Sequence, residues 1–129
     1  MKVLITGTRR ALVAEDVRVI DYALQEAADS IDAIHVLVHG GAKGVDLAAA
    51  SLCKDNDNIL IVEHKAEWTR YGKGAGPHRN QKMLDLHPDI DVVLAFPAQD
   101  SKGTWDMVER AVKAHLPVRV YPLWGRYYR

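Results

Sequence analysis

The sequence predicts a single α/β domain: a five-stranded parallel sheet in the order 3-2-1-4-5, with helices on both faces. Three observations carry that prediction. Five short runs of aliphatic and β-branched residues recur along the chain, and most are apolar throughout rather than alternating, as strands covered on both faces are. Patterns of helical period lie between them. The length of 129 residues suits one domain with one core. No internal repeat or low-complexity segment divides it, so residues 1–129 are read as one unit.

The elements follow in order. KVLIT (2–6) is the first strand, and residues 14–31 are the first helix, with Val17, Ile20, Leu24, Ala27 and Ile31 on one stripe. IHVLVH (34–39) is the second strand. VDLAAASLCK (45–54) is the second helix, rich in alanine and so able to pack closely on a sheet. ILIVEH (59–64) is the third strand, and HRNQKMLDLH (78–87) is a helix stopped by Pro88. DVVLAF (91–96) is the fourth strand. TWDMVERAVKAH (104–115) is a helix with Thr104 placed to cap it, and PVRVY (117–121) is the fifth strand. Strands alternating with helices give an open sheet with right-handed crossovers. The expected order sets strands one and four side by side at a switch point, and ligands of such sheets bind outside the carboxyl ends of the strands there.

Composition narrows the function classes. Seventeen basic residues balance seventeen acidic ones, so no global field recruits nucleic acid or a membrane surface. The apolar run at the start is too short for a signal peptide, and no stretch approaches membrane-spanning length. The lone Cys53 has no internal disulfide partner and reads as a small buried side chain. A cytoplasmic location is the expectation. Charge is uneven locally: Glu15, Asp16, Asp21, Glu26, Asp29 and Asp32 crowd one helix, while only basic charges follow Glu109. That pattern reads as two oppositely charged solvated faces or as a self-associating surface.

Three loops converge on the carboxyl rim. GTRR (7–10) follows the first strand, GGAKGVD (40–46) the second and PAQDSKGT (97–104) the fourth. Each carries glycine, and two lead into helix N-termini, whose free N–H groups and dipole favour an anion. Gly40, Gly41 and Gly44 are therefore read as letting a phosphate touch the backbone. Established glycine motifs fit poorly. Gly41 and Gly44 fill two places of the dinucleotide fingerprint, but His39 stands at the first and the loop follows the wrong strand. Glu63 lies about 20 residues on, where an acid holds a ribose hydroxyl. The Walker pattern fails because Lys43 precedes Gly44. The histidines show no metal spacing, so no metal and no cofactor is expected.

Residues 65–80, KAEWTRYGKGAGPHRN, read as a long connection of the kind that carries function. Trp68 and Tyr71 with the cations around them suit stacking of a base and pairing with a phosphate. Arg79 is placed in the first turn of the third helix, where a cation is unfavourable unless an anion joins it.

Together, ITGTR, VHGGAKGVD, GPHRNQKML and AFPAQDSKGTWDMV resemble the SLOG superfamily of Rossmann-like nucleotide-binding domains, over residues 2–121. The branch they most resemble is that of small stand-alone bacterial and phage proteins. The resemblance extends distantly to the Lonely Guy enzymes, which release the base from nucleoside 5′-monophosphates with an arginine and a glutamate. Arg79 and Met83 stand at the arginine motif, with Asn80 where those enzymes have lysine. Pro97, Gly103 and Thr104 have counterparts in the second motif, but Met107 holds the glutamate position. Asp46, Asp100 and Asp106 are the remaining acids, Asp46 foremost as a tentative catalytic partner of Arg79.

The resemblance implies a nucleotide or nucleotide-derived ligand bound by Gly7, Thr8, Arg9, Gly40, Gly41, Lys43, Gly44, Arg79, Asn80, Pro97, Ser101, Gly103 and Thr104, with Trp68 or Tyr71 over the base. Three readings stay open. The chain binds such a ligand as a sensor, carrier or sponge; or it hydrolyses the N-glycosidic bond; or it binds single-stranded DNA through the tail LWGRYYR. The neutral total charge speaks against nucleic acid as a partner. Residues 122–129 read instead as an interface segment, and the dimeric relatives make a homo-oligomer the expectation.

Overall fold

β1 (Lys2–Gly7) runs through the middle of the sheet, because its Val3–Ile5 stretch is apolar on both faces and needs cover on both. The computed structural model describes residues 1–123; the tail residues Trp124, Arg126, Tyr127, Tyr128 and Arg129 lie outside the described residues. After β1 come α1 (Ala14–Ala28), β2 (Val36–His39), α2 (Val45–Cys53), β3 (Leu60–Glu63) and the short α3 (Trp68–Tyr71). Then follow α4 (Ala75–Leu86), β4 (Val92–Phe96), α5 (Lys102–Lys113) and β5 (Val118–Val120). The sheet is parallel throughout, in the order β3-β2-β1-β4-β5. Lys2 stands opposite Val36 of β2, and Val3 opposite Val92 of β4. That is the predicted architecture.

The period of two along β1 sorts the core into two layers. Val3 and Ile5 join Ile20 and Leu24 of α1 with Val45 and Ala49 of α2. Leu4 points the other way, to Met83 and Leu84 of α4 and Met107 and Ala111 of α5. Each buried aliphatic side chain stabilises by about 1.5–3 kcal/mol relative to exposure, so the layers clamp β1 from both sides. Cys53 is buried in the first layer, and burial pushes its thiol up to about 11. No helix among the described residues is long and apolar enough to cross a membrane.

The helices depart from the sequence expectations at their ends. α1 stops at Ala28, three residues early, because Asp29 turns left-handed at φ 64°; Ile31–Ala33 form a separate tight turn. Asp16 is buried rather than solvated: it accepts the Val13 N–H at 3.0 Å, the return half of a capping box. α4 begins at Ala75, so Pro77 lies within its first turn, where its missing N–H costs nothing. Arg79 therefore falls in the second turn, not the first. α5 begins at Lys102, so Thr104 is its third residue and is buried, not its cap. Ser101 precedes the helix, but its hydroxyl accepts the Ala98 N–H at 2.7 Å instead. The expected long loop of residues 65–80 is mostly helical: α3, a tight turn at Gly72–Gly74 and the start of α4.

Candidate functional site

The Thr8 peptide joins the elements of the switch point. Its N–H donates to the Phe96 carbonyl at the end of β4 (3.0 Å), and its carbonyl accepts the Val45 N–H at the start of α2 (3.2 Å). Past this junction the chain opens into a cleft on the carboxyl rim. One compartment, of about 380 Å³, lies between residues 6–10, Asp46 and the start of α5. A second, of about 370 Å³, lies between the Gly40–Lys43 loop, Lys65, Ala66 and Trp68. Arg9, Ala42 and Arg79 line both, so the two compartments share a waist.

The glycine cluster is explained by the chain's own close approaches. A Cβ on Gly40 would run into the Arg79 guanidinium, and one on Gly41 would lie 2.6 Å from Glu63 Oε1. At Gly44 the backbone has φ +90°, and a Cβ there would strike the Thr8 carbonyl. Gly7 is pressed on Val45 in the same way. Three N–H groups of the loop are also engaged. Asp46 Oδ2 accepts from Gly40 N–H (3.0 Å) and Ala42 N–H (3.3 Å), while His39 Nδ1 accepts from Gly41 N–H (2.9 Å). Accepting at Nδ1 requires a neutral ring protonated at Nε2, and burial lowers the His39 pKa in that direction.

Asp46 takes two of the loop N–H groups that the sequence reading offered to a phosphate. It sits in the first turn of α2, nearly sealed from solvent, and its second oxygen, Oδ1, has no hydrogen-bond partner. Burial pushes its pKa up to about 6, against the pull of the Ala42 and Gly40 N–H groups, Arg79 and Arg9. A buried carboxylate oxygen without a donor is costly, and Asp46 is one of the residues lining the first compartment.

Arg79 spans the waist. Its Nη1 donates to the Gly40 carbonyl at 2.7 Å and its Nε to Asn80 Oδ1 at 3.0 Å. Asn80 is buried and in turn donates to the Gly103 carbonyl (3.2 Å) and to Asp106 (2.9 Å), tying α4 to α5. Arg9 reaches over the half-exposed Trp68 ring at 5.1 Å, a cation–π contact across the mouth of the second compartment. Thr8, Ser101, Gly103 and Thr104 line the first compartment, and Lys43 the second. α5 presents its first N–H groups there, the orphan donors of a helix start.

Four expected residues sit elsewhere. Tyr71 stacks on His78 with ring centroids 4.0 Å apart and lines neither compartment. Pro97 is buried and its carbonyl accepts the Leu123 N–H at 2.7 Å. Gly44 and Asn80 shape the cleft from behind without lining it. Of the spare acids, Asp100 borders the first compartment, but Asp106 is bonded to Arg110 at 2.9 Å away from it. Met107 is fully buried in the second core layer, facing Leu4 and Met83 rather than the cleft. Thr6, Arg10, Gln99 and Lys102 line the first compartment although the sequence reading named none of them. Their signal was adjacency, since all four flank or belong to the two rim loops. Among the described residues no three His, Cys, Asp or Glu side chains gather as a metal site.

Comparison with known proteins agrees with this architecture. The family model described as YspA, cpYpsA-related SLOG family matches residues 1–71. The chain is 36% identical over 121 residues to the Gene 61 protein of Mycobacterium phage D29, covering 91% of this chain and 93% of that protein. No solved structure matches it.

Proposed function

The chain belongs to the YspA, cpYpsA-related SLOG family, and on that premise we propose that its cleft binds a nucleoside phosphate and holds it unconverted, as a sensor, carrier or sponge. One observation carries the reading: a helix start with free N–H groups and Asp46, a buried carboxylate with one unpartnered oxygen, line the same compartment. The first suits a phosphate and the second a hydroxyl, and a nucleotide supplies both within a few bonds. Asp46 and His39 take three of the loop N–H groups, so the phosphate is assigned to the start of α5, against Gly103, Thr104 and the guanidiniums of Arg9 and Arg79. The Trp68 face, across Arg9, takes the base.

A second reading, hydrolysis of the N-glycosidic bond, is favoured by one feature. Asp46, pushed up to about 6, sits where a proton donor or acceptor works at neutral pH. Against it, the glutamate position of the hydrolysing relatives is Met107, packed in the core. Binding without conversion is the stronger proposal.

Native mass spectrometry of the chain with the four 5′-monophosphates, ADP-ribose and NAD tests both readings and records the oligomeric state. Retention of an intact nucleotide, weakened about 10–100-fold by Arg79→Ala, is the expected result, since hydrogen bonds to charged groups contribute about 1.5–3 kcal/mol. Release of free base from those samples would establish the hydrolase instead. No retained nucleotide would end the proposal.

A further inference from the structure

We infer that Asn80 is a positioning residue: one buried amide that fixes the Arg79 guanidinium relative to the start of α5, and so shapes the anion site before a ligand arrives. The inference rests on reading the cleft as a nucleotide site and concerns how that site is built. Asn80 lines neither compartment, so anything it does for a ligand passes through its neighbours. Those neighbours are the two halves of the proposed phosphate site. Asn80 Oδ1 accepts the Arg79 Nε–H at 3.0 Å, and Asn80 Nδ2 donates to the Gly103 carbonyl at 3.2 Å. Arg79 and Gly103 both line the first compartment, and Gly103 is the second residue of α5.

The chemistry required at position 80 is narrow. A side chain with an acceptor at one end and an N–H pair at the other meets Arg79 and the Gly103 carbonyl together. A third bond, from Nδ2 to Asp106 Oδ2 at 2.9 Å, fixes which way the amide faces, because Asp106 and the Gly103 carbonyl are both acceptors. Arg110 closes the network on its outer side: its Nε donates to Asp106 at 2.9 Å and its Nη1 to Gln81 Oε1 at 3.0 Å. Asn80 and Gln81, adjacent on α4, are thereby tied to one face of α5. Arg79 gains most from this. Clamping an anion costs a free arginine its rotamer freedom, but the bonds to Asn80 and the Gly40 carbonyl have already taken it. Two of the five guanidinium N–H donors are spent in this way, and three remain for a phosphate. A guanidinium held in place beforehand binds more tightly, because less ordering is left to be done on binding.

Arg110 supplies the control. It belongs to the same network but lines neither compartment, so Arg110→Ala weakens the tie between α4 and α5 while leaving Asn80 bonded to Arg79. Titration calorimetry on the full chain would compare wild type, Asn80→Ala and Arg110→Ala, each with the four nucleoside 5′-monophosphates and the matching nucleosides. Thermal unfolding would record the stability of each variant. Asn80→Ala is expected to weaken the bound monophosphate about tenfold, the scale of one hydrogen bond to a charged group, and to leave the nucleoside unchanged. Arg110→Ala is expected to lower Tm and leave both affinities unchanged. A second measurement needs no folded variant at Asn80. In NMR spectra of the wild type, the Arg79 Nε–H, identified by its loss in Arg79→Ala, should exchange with water more slowly than that of the exposed Arg18. Equal losses for monophosphate and nucleoside, or equal losses in Asn80→Ala and Arg110→Ala, would reduce Asn80 to a structural tie and overturn the inference. An Arg79 Nε–H that exchanges as fast as that of Arg18 would overturn it too. A wild type that binds no monophosphate would remove the underlying reading and the inference together.

Discussion

Replacing Gly44 with alanine should be among the most damaging single-methyl additions this chain can suffer. Gly44 sits at φ +90°, ψ −123°, a conformation that costs a side-chain-bearing residue about 1–3 kcal/mol. The added Cβ would strike the Thr8 carbonyl and lie 2.9 Å from the Arg10 carbonyl oxygen. Both neighbours are backbone and cannot rotate aside. Moving the Thr8 carbonyl would also break its bond to the Val45 N–H, worth about 1 kcal/mol. The total is about 2–4 kcal/mol, a large share of the 5–15 kcal/mol of a typical domain, and it corresponds to a fall in Tm on the order of 10 °C. Urea and thermal unfolding measure it, with Gly103→Ala as the companion. Gly103 is the second residue of α5 and a Cβ there meets nothing within 4 Å, so alanine should be neutral or stabilising by up to about 1 kcal/mol. If Gly44→Ala loses less than about 1 kcal/mol, or the two variants lose equally, the close packing of α2 on the end of β1 is not what fixes this glycine.

Other expectations follow from the same geometry. Asp46 carries a folded pKa of about 6 against an unfolded value of about 3.9, so the folded state holds this proton more tightly. Stability from this group is therefore greatest below about pH 4 and falls as pH rises through 6, by about 3 kcal/mol. Asp46→Asn lacks that term. The stability difference between wild type and variant should shrink by that amount between pH 4 and pH 7 in urea melts, and a constant difference would refute the assignment. Met107→Glu supplies the glutamate that the resemblance to the Lonely Guy enzymes would call for, but places it against Leu4 and Met83. It should destabilise by at least about 3 kcal/mol, because an unpaired charge is buried, and should release no base from any nucleotide; a stable variant with glycosidase activity would show that this position can face the cleft.

The fold was legible because its signals are local. The near-continuous apolar runs require cover on both faces, and β1 received it, with Val3 and Ile5 on one layer and Leu4 on the other. Helix starts were misplaced for an equally local reason. Thr104 has the chemistry of a cap, yet burial drew it inside α5, while the helix expected from residue 78 starts at Ala75, with Pro77 accommodated in its first turn. The rim loops announced where the cleft lies, and Arg9, Arg79 and Trp68 do line it. Long-range pairings were not legible. Nothing in GGAKGVD says that Asp46 will fold back onto the N–H groups of Gly40 and Ala42, or that Arg79, 39 residues on, will fill the space beside Gly40. A small residue announces a close neighbour without saying which.

The placement of β1 between β2 and β4 also has a consequence in time. It leaves the ribosome well before the partner on one of its flanks, since Val92, opposite Val3, lies 89 residues further on. At about 5–20 residues per second, that interval is on the order of 4–18 seconds. Throughout it, one flank of β1 carries unpaired backbone groups and the layer of α4 and α5 is missing. The β1–β4 pairing is thus a late contact, and the bare flank of β1 is the part of the nascent chain most in need of cover until β4 arrives.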